Sequence, residues 1–374
     1  MWQLSLRRLN FRLIFLLFVL MVISLMVLSS TTTSSVDLEW EGIFTPFVKK
    51  QLQFFAIGWI CFFSLSAMDY NKLRDWNWLL YGGMVIALIG LFFVPSIQSV
   101  HRWYRIGGLT LQPSEYAKLI VVIALSAFLD RKAGRTRTLS VMLQALGIIL
   151  LPFLLILKQP DLGTALVLFP IALILFYFGG IKKRVIVFLG GVALVCVTFV
   201  SLLFLGVVDH ESFRPIATQV IKDYQYERLN PNTYHQKAAQ TAIALGGLKG
   251  CGWHQSEYTK RQWLPAAHTD SVFAAYAEEF GLLGVLFLLA VFFSLIYVSF
   301  QVTAVAKDRF GRLLSAGIAI YLGIHMLVNL GMMCGYLPIT GVPLVLISYG
   351  GSSTVATMSA LGVLQSIYSR RYMF

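Results

Sequence analysis

Four short clusters of polar and ionisable residues interrupt an otherwise apolar chain, and each holds side chains that could do chemistry. The first is Leu264-Pro265-Ala266-Ala267-His268-Thr269-Asp270-Ser271, where a carboxylate follows a histidine at the start of a long apolar run. Asp270 there either caps the coming helix or stands as an acid at the water–lipid boundary, where ionisable groups usually act on a substrate or pair. The second is Gln112-Pro113-Ser114-Glu115-Tyr116-Ala117-Lys118. Pro113 suits a first helical turn, and Glu115 and Lys118 share one helix face and can pair. Such a pair either fixes helix packing alone or brings charge to a pocket. The third, Lys158-Gln159-Pro160-Asp161-Leu162-Gly163-Thr164, compresses a turn between two apolar runs and places Asp161 to cap the second. The fourth, His101-Arg102-Trp103-Tyr104-Arg105, sets two guanidinium groups beside two aromatics. The planar fork of arginine suits phosphate oxygens. An acid facing cations at a membrane boundary is what a reaction on a lipid-linked anion would need.

The elements that must carry these clusters are legible in the composition. Of 374 residues, 57% are hydrophobic and 13% charged, about half the charge of an ordinary soluble domain. Apolar runs recur at Phe11–Leu28, Phe54–Ala67, Leu79–Val94, Leu119–Leu129, Val141–Leu157, Ala165–Phe178, Val185–Val208, Val272–Phe300, Leu313–Cys334 and Val342–Ile367. Each approaches the roughly 20 residues that span a hydrocarbon core, where backbone groups must pair within their own segment. The expectation is an all-α integral membrane protein, a polytopic bundle of ten transmembrane helices. A β-barrel would show short alternating segments instead.

The net charge of +13 raises nucleic acid as a partner, but its placement answers otherwise. Arg7, Arg8, Arg12, Lys72, Arg74, Arg131, Lys132, Arg135, Arg137, Lys182, Lys183, Arg184, Lys307, Arg309, Arg312, Arg370 and Arg371 fall at both ends and in every second loop. The positive-inside rule makes those segments cytoplasmic, both termini included, and no nucleic-acid partner is needed. A cleaved signal peptide over residues 1–35 is the alternative to a retained first span. One loop is long: residues 209–269, between spans 7 and 8, is expected to be a large extracytoplasmic loop. Within it Phe213–Arg228 and Tyr234–Leu245 read as amphipathic helices, the first ending at Asn230-Pro231 and the second at Gly246-Gly247. The whole of 1–374 reads as one membrane domain. Cys251 and Cys334 fall on the outer side, although no spacing rule pairs them. With no CxxC, HExxH or P-loop pattern, nucleotide-driven transport and a fixed zinc site lack support.

Together with Glu278-Glu279-Phe280-Gly281 and Leu337-Pro338…Gly341…Ser348-Tyr349-Gly350-Gly351-Ser352-Ser353, the charged clusters form an ordered set running from about Arg102 to Arg371. That set resembles the SEDS family (shape, elongation, division and sporulation). The Gly341-Val342-Pro343 step and the ending Gly362-Val363-Leu364-Gln365-Ser366-Ile367-Tyr368 resemble its RodA branch more than FtsW. The chain departs from the family at Ser271, usually Phe, at Ala266, often Glu, and at Leu344-Val345-Leu346, commonly Leu-Pro-Leu. The resemblance implies a peptidoglycan glycosyltransferase that polymerises lipid II on the outer face of the bacterial cytoplasmic membrane during elongation. It implies Asp270 as general base and Lys118, Arg102, Arg105 and Lys158 as phosphate binders. Glu115, Gln112 and His268 join them in the substrate site, and Asp161 would hold a divalent cation (Mg or Mn) or orient a basic neighbour. Implied partners are lipid II, undecaprenyl-linked glycan, a class B penicillin-binding protein as transpeptidase, and the elongation machinery. Other readings are a lipid II flippase, for which broken helices and inverted repeats would speak, a scaffold, and an FtsW-type septal polymerase.

Overall fold

The computed structural model describes residues 8–32, 43–95, 101–106, 109–204, 207, 214, 226, 230 and 232–372. Helices form where the apolar runs lie, and polar residues set many of their starts. α1 (Phe11–Thr31) begins where the Asn10 side chain accepts from the Leu13 N–H, and α2 (Pro46–Ala67) where the Thr45 hydroxyl accepts from Val48 ahead of Pro46. α3 (Asn71–Asp75) and α4 (Asn77–Gly90) lead to a hairpin of β1 (Tyr104–Ile106) and β2 (Leu109–Leu111), with Tyr104 opposite Leu111. Then follow α5 (Pro113–Arg131), α6 (Leu139–Lys158), α7 (Leu162–Gly179), α8 (Lys183–Phe204), α9 (Tyr234–Gly246), α10 (Glu257–Lys260), α11 (Val272–Val305), α12 (Arg309–Met333) and α13 (Gly351–Ser369). Among the described residues the hairpin is the only sheet, and no barrel is present.

Every apolar run coincides with a helix, and six of them (α1, α6, α7, α8, α11 and α12) are long and apolar enough to cross a membrane. The chain is a helical, multi-pass membrane-type protein. Two runs need correction. Val342–Ile367 is helical only from Gly351, because Gly341 and Leu346 take φ of 80° and 60° and hold the preceding segment in an irregular course. Val272–Phe300 is not one straight rod: α11 breaks at Gly281, with φ 60° and ψ −164°.

That break has a backbone solution. A break in the i to i−4 ladder strands donors and acceptors, which away from water costs several kcal/mol each. Here the loop after α9 supplies the partners. Glu278 and Glu279 carbonyls accept from Cys251 (3.0 Å) and Gly252 (2.9 Å), while Leu282 N–H donates to Gly247 (2.9 Å) and Leu283 N–H to Leu248 (3.2 Å). The two glutamate side chains serve the same loop. Glu278 accepts from Tyr258 N–H at 3.1 Å and the Thr259 hydroxyl at 2.6 Å, and Glu279 from His254 N–H at 3.2 Å. Residues 282–305 beyond the break are by themselves long enough to span. α6 shows the same logic at Pro152, whose missing N–H frees the Ile148 carbonyl; the Tyr81 hydroxyl donates to it at 2.9 Å.

α5, α13 and α12 are the most enclosed of the long helices, whereas α8 has no buried residue in its apolar window. The helix expected at Tyr234–Leu245 is α9. The one expected at Phe213–Arg228 lies almost wholly outside the described residues, as does much of the first half of the 209–269 loop. Cys61, Cys196, Cys251 and Cys334 are all free thiols, so Cys251 and Cys334 do not pair.

The crossing of α9 on α11 leaves no room for a side chain at Gly246, where a Cβ would overlap the Ala277 carbonyl. Gly246→Ala is therefore expected to cost about 1–3 kcal/mol and lower the melting temperature in detergent. Gly190→Ala on α8, where nothing lies within 4 Å, should be neutral or slightly stabilising. Equal melting points for the two variants would reject this account of the crossing.

Candidate active site

Five helices begin at the wall of one cavity of about 850 Å³. Gln112 and Glu115 line it from the start of α5, Asp161 and Thr164 from α7, and Thr233 and His235 from α9. Thr269 and Asp270 come from the start of α11, and Gly350 to Ser353 from α13. Arg102 and Trp103 approach from the hairpin side, and Ile339 to Gly341 from the irregular segment before α13. Each helix start presents unpaired N–H groups and the equivalent of about half a positive charge. Convergence of several makes the cavity receptive to anions before any side-chain cation is counted.

The segment carrying Asp270 is gripped by three consecutive carbonyls. His268 C=O accepts from Tyr349 N–H at 2.9 Å, Thr269 C=O from the Ser348 hydroxyl at 2.6 Å, and Asp270 C=O from the Asn329 amide at 3.0 Å. Asn329 also donates to the Val342 carbonyl at 2.8 Å, tying α12 to both strands of the grip. Inside the segment, Thr269 and Ser271 N–H both donate to the Ala266 carbonyl, at 3.0 and 3.1 Å, about an Ala266 φ of 50°. The N-cap of α11 falls on Ser271 and has no side-chain cap bond. Asp270 is thus not the helix cap. Its carboxylate reaches toward Gly341, where an added Cβ would lie 3.5 Å from Oδ2.

His235 braces the same segment from the side. Its Nε2 lies 2.7 Å from the Ser271 hydroxyl, and the Pro265 carbonyl accepts from the ring. Burial holds its imidazole below the ordinary value near 6.5 and outweighs the Pro265 bond, which acts in the opposite direction. The chain has Ser271 where the resembled family has Phe, which puts a hydroxyl within reach of this ring. His268 packs between Phe47 and Tyr349, with ring centroids 5.1 and 6.1 Å away, and burial lowers its pKa as well.

Asp161 does cap α7: one oxygen accepts from Thr164 N–H at 3.3 Å. The other accepts from Gln112 Nε2 at 3.0 Å and the Ser114 hydroxyl at 2.9 Å. Surrounded by donors, it has the wrong neighbours for a cation, which needs oxygen ligands. The expectation of a metal at Asp161 does not fit this geometry. The expected link to a basic neighbour is indirect: Arg102 donates from Nε to the Gln159 carbonyl at 3.1 Å and from Nη2 to the Pro160 carbonyl, holding the turn that presents Asp161.

Glu115 and Lys118 form the expected pair, at 2.8 Å, with the lysine fully buried. Its ammonium also lies 2.9 Å from His325 Nε2 and 5.5 Å from the Tyr321 ring centre. Lys118 sits behind Glu115 and does not line the cavity, so its expected role as a direct phosphate ligand gives way to one of holding Glu115. Arg105 and Lys158 are exposed and also lie off the cavity wall. Asp270, Glu115, Gln112, Asp161, Arg102 and His268 are brought together there. Three positions that brace residues of the cavity or their partners escaped the sequence reading: His235, Asn329 and His325. Polar Asn329 and His325, four apart within an apolar run, were the available signal; His235 had none beyond its amphipathic helix.

The model of the cell cycle protein family that comprises FtsW, RodA and SpoVE matches residues 9–373. The chain belongs to that family. It is 32% identical over 329 residues to peptidoglycan glycosyltransferase MrdB of Escherichia coli K12, covering 87% of this chain and 86% of that one. Thermus thermophilus RodA, a rod shape determining protein, superposes with a TM-score of 0.70 at 26% identity, over 98% of both chains. A chain of a peptidoglycan synthase complex described as coordinating polymerization and crosslinking gives 0.76 at 27% identity, over 98% of this chain and 99% of that one.

Two measurements probe this FtsW/RodA/SpoVE site. Lys118→Met strands a buried carboxylate and is expected to cost about 3–5 kcal/mol. Adding Glu115→Gln should recover much of that loss in unfolding measurements, and strict additivity of the two substitutions would reject the coupling. The half-buried His235 and His268 set a pH dependence. With folded pKa values depressed, the unfolded chain takes up protons first on acidification, so stability is full above about pH 6.5 and declines as pH falls below it. His235→Gln should make that decline shallower, and an unchanged melting-temperature profile would argue against the bracing role.

Proposed function

We propose that the chain is a peptidoglycan glycosyltransferase that polymerises lipid II into glycan strands, with Asp270 as general base. One observation carries the reading: a carboxylate backed by three gripped carbonyls stands in a cavity at which five helices begin. Growth of a glycan needs a base for the acceptor 4-hydroxyl and positive potential for the departing pyrophosphate. As Asp270 accepts the hydroxyl proton, the acceptor oxygen bonds to C1 of the donor from the face opposite the leaving group. The C1–O bond to undecaprenyl pyrophosphate breaks, inverting C1, and the charge passes to the pyrophosphate. Helix starts and Arg102 are placed to receive it, Glu115 and Gln112 to orient sugar hydroxyls, and His268 with Tyr349 to offer ring faces. The similarity to MrdB, named a peptidoglycan glycosyltransferase, supports the same activity.

The topology that goes with this activity has ten spans and both termini in the cytoplasm. The cavity and the 209–269 loop then face outward, where lipid-linked precursor is consumed, in a bacterial cytoplasmic membrane. α5, α7, α11 and α13 are alternate members of the ten, which accounts for their starts lying at one face. Likeness to a chain of a complex that couples polymerization to crosslinking supports a class B penicillin-binding protein as partner in the elongation machinery. No step is assigned to a divalent cation.

A lipid II flippase is the reading that the break in α11 could favour. The break, however, precedes the spanning stretch, and the Glu278 and Glu279 carbonyls and the Leu282 and Leu283 N–H groups are paired to the α9 loop, which is not the exposed midplane site a transporter needs. Asp270→Asn keeps the size and removes the basicity, so the protein should fold and lipid II polymerisation in proteoliposomes should be lost. Asp270→Glu shifts the carboxylate by about 1 Å and should lose on the order of a hundredfold in rate. Near wild-type polymer from the Asn variant would overturn the catalytic assignment, and translocated monomer without polymer from the wild type would favour the flippase.

A further inference from the structure

A second cavity lies at the opposite end of α7 from Asp161. The 18 residues of α7 set the two apart by roughly 27 Å, about the thickness of a hydrocarbon core. It encloses about 460 Å³, and its walls come from the α5–α6 loop, the α7–α8 turn and the first turn of α8. Arg137, Lys182, Lys183 and Arg184 line it together with Tyr177, and no acidic residue does. The backbone beneath is fixed from two sides. The Thr136 hydroxyl donates to the Gly180 carbonyl at 3.1 Å, and Arg309 of α12 donates to the Gly179 carbonyl at 2.7 Å.

We propose that this cavity binds the phosphate headgroup of an anionic phospholipid, in the leaflet opposite the one that the active-site cavity faces. Four cations converging without a counter-charge call for an anion. The continuation of the site identifies its source as a lipid. α8 rises from the cavity rim with none of its apolar window buried, and Val187 and Phe188, one turn in, expose 71% and 69% of their surface. Acyl chains laid along α8 cover that face while the headgroup occupies the basic cavity. A lipid so placed makes a second contact along α8 that a free phosphate cannot make. Topology alone accounts for basic loops on this face, but not for their unequal use: Lys132 and Arg135 lie in the same α5–α6 loop as Arg137 and stay off the cavity wall.

The test uses the full chain in nanodiscs of phosphatidylcholine, with or without phosphatidylglycerol, read by melting temperature and by mass spectrometry of retained lipid. Phosphatidylglycerol should raise the wild-type melting temperature. The combined Lys182→Gln, Lys183→Gln and Arg184→Gln variant should lose most of that rise and retain the anionic lipid about fivefold less per charge removed. Lys132→Gln with Arg135→Gln should keep both. The proposal fails if the triple variant keeps the full rise, if the control pair loses as much, or if inorganic phosphate reproduces the rise in phosphatidylcholine alone. Should the triple variant not fold in phosphatidylcholine, Arg137→Gln alone decides the matter by the same comparison.

Discussion

Backbone groups held away from water must find partners, and the architecture depends on how this chain meets that demand where its helices stop or break. Inside a continuous helix the demand is met locally. At Gly281 it is met by the loop after α9, at Pro152 by a tyrosine hydroxyl, and before α11 by Tyr349, Ser348 and Asn329. Each solution joins segments far apart in sequence. The last of them also fixes the position of Asp270, so a requirement of folding becomes the means of holding the carboxylate proposed above as the base. A helix that simply continued through 264–271 would have left no such grip.

Electrostatics follows from the same arrangement. Side-chain cations are scarce in the cavity: Arg102 is at its wall, Lys118 stands behind Glu115, and Arg105 and Lys158 lie outside. Five helix starts supply the positive potential instead. This potential costs no desolvation of a buried ammonium and is fixed in direction before substrate arrives, which is what stabilising a developing charge requires. The buried Lys118 pairs with Glu115 at 2.8 Å and holds it oriented beside the cavity, and His325 lies against the same ammonium at 2.9 Å.

Local patterning determined a great deal. Hydropathy located every long helix because a span must be apolar over its length. A capping residue located the start of α7 because Asp161 carries the short acceptor that an orphan N–H group needs. The i,i+3 spacing of Glu115 and Lys118 was enough to foresee their pairing, since helix geometry alone brings them together. Spacing within one helix cannot tell which face meets the cavity, and so the depth of Lys118 was beyond its reach.

What only the tertiary structure decided concerns groups joined across the sequence. That Asp270 is held through its carbonyl by Asn329, and does not cap α11, depends on α12 and on the segment before α13 lying against residue 270. That both oxygens of Asp161 are taken depends on α5 delivering Gln112 and Ser114 to it. His235 gains its place from the docking of α9, a contact for which one amphipathic helix carries no sign. In each case the partner lies tens of positions away. Residue type and spacing determine what a side chain can do, whereas packing of distant elements determines which of its atoms remain to do it.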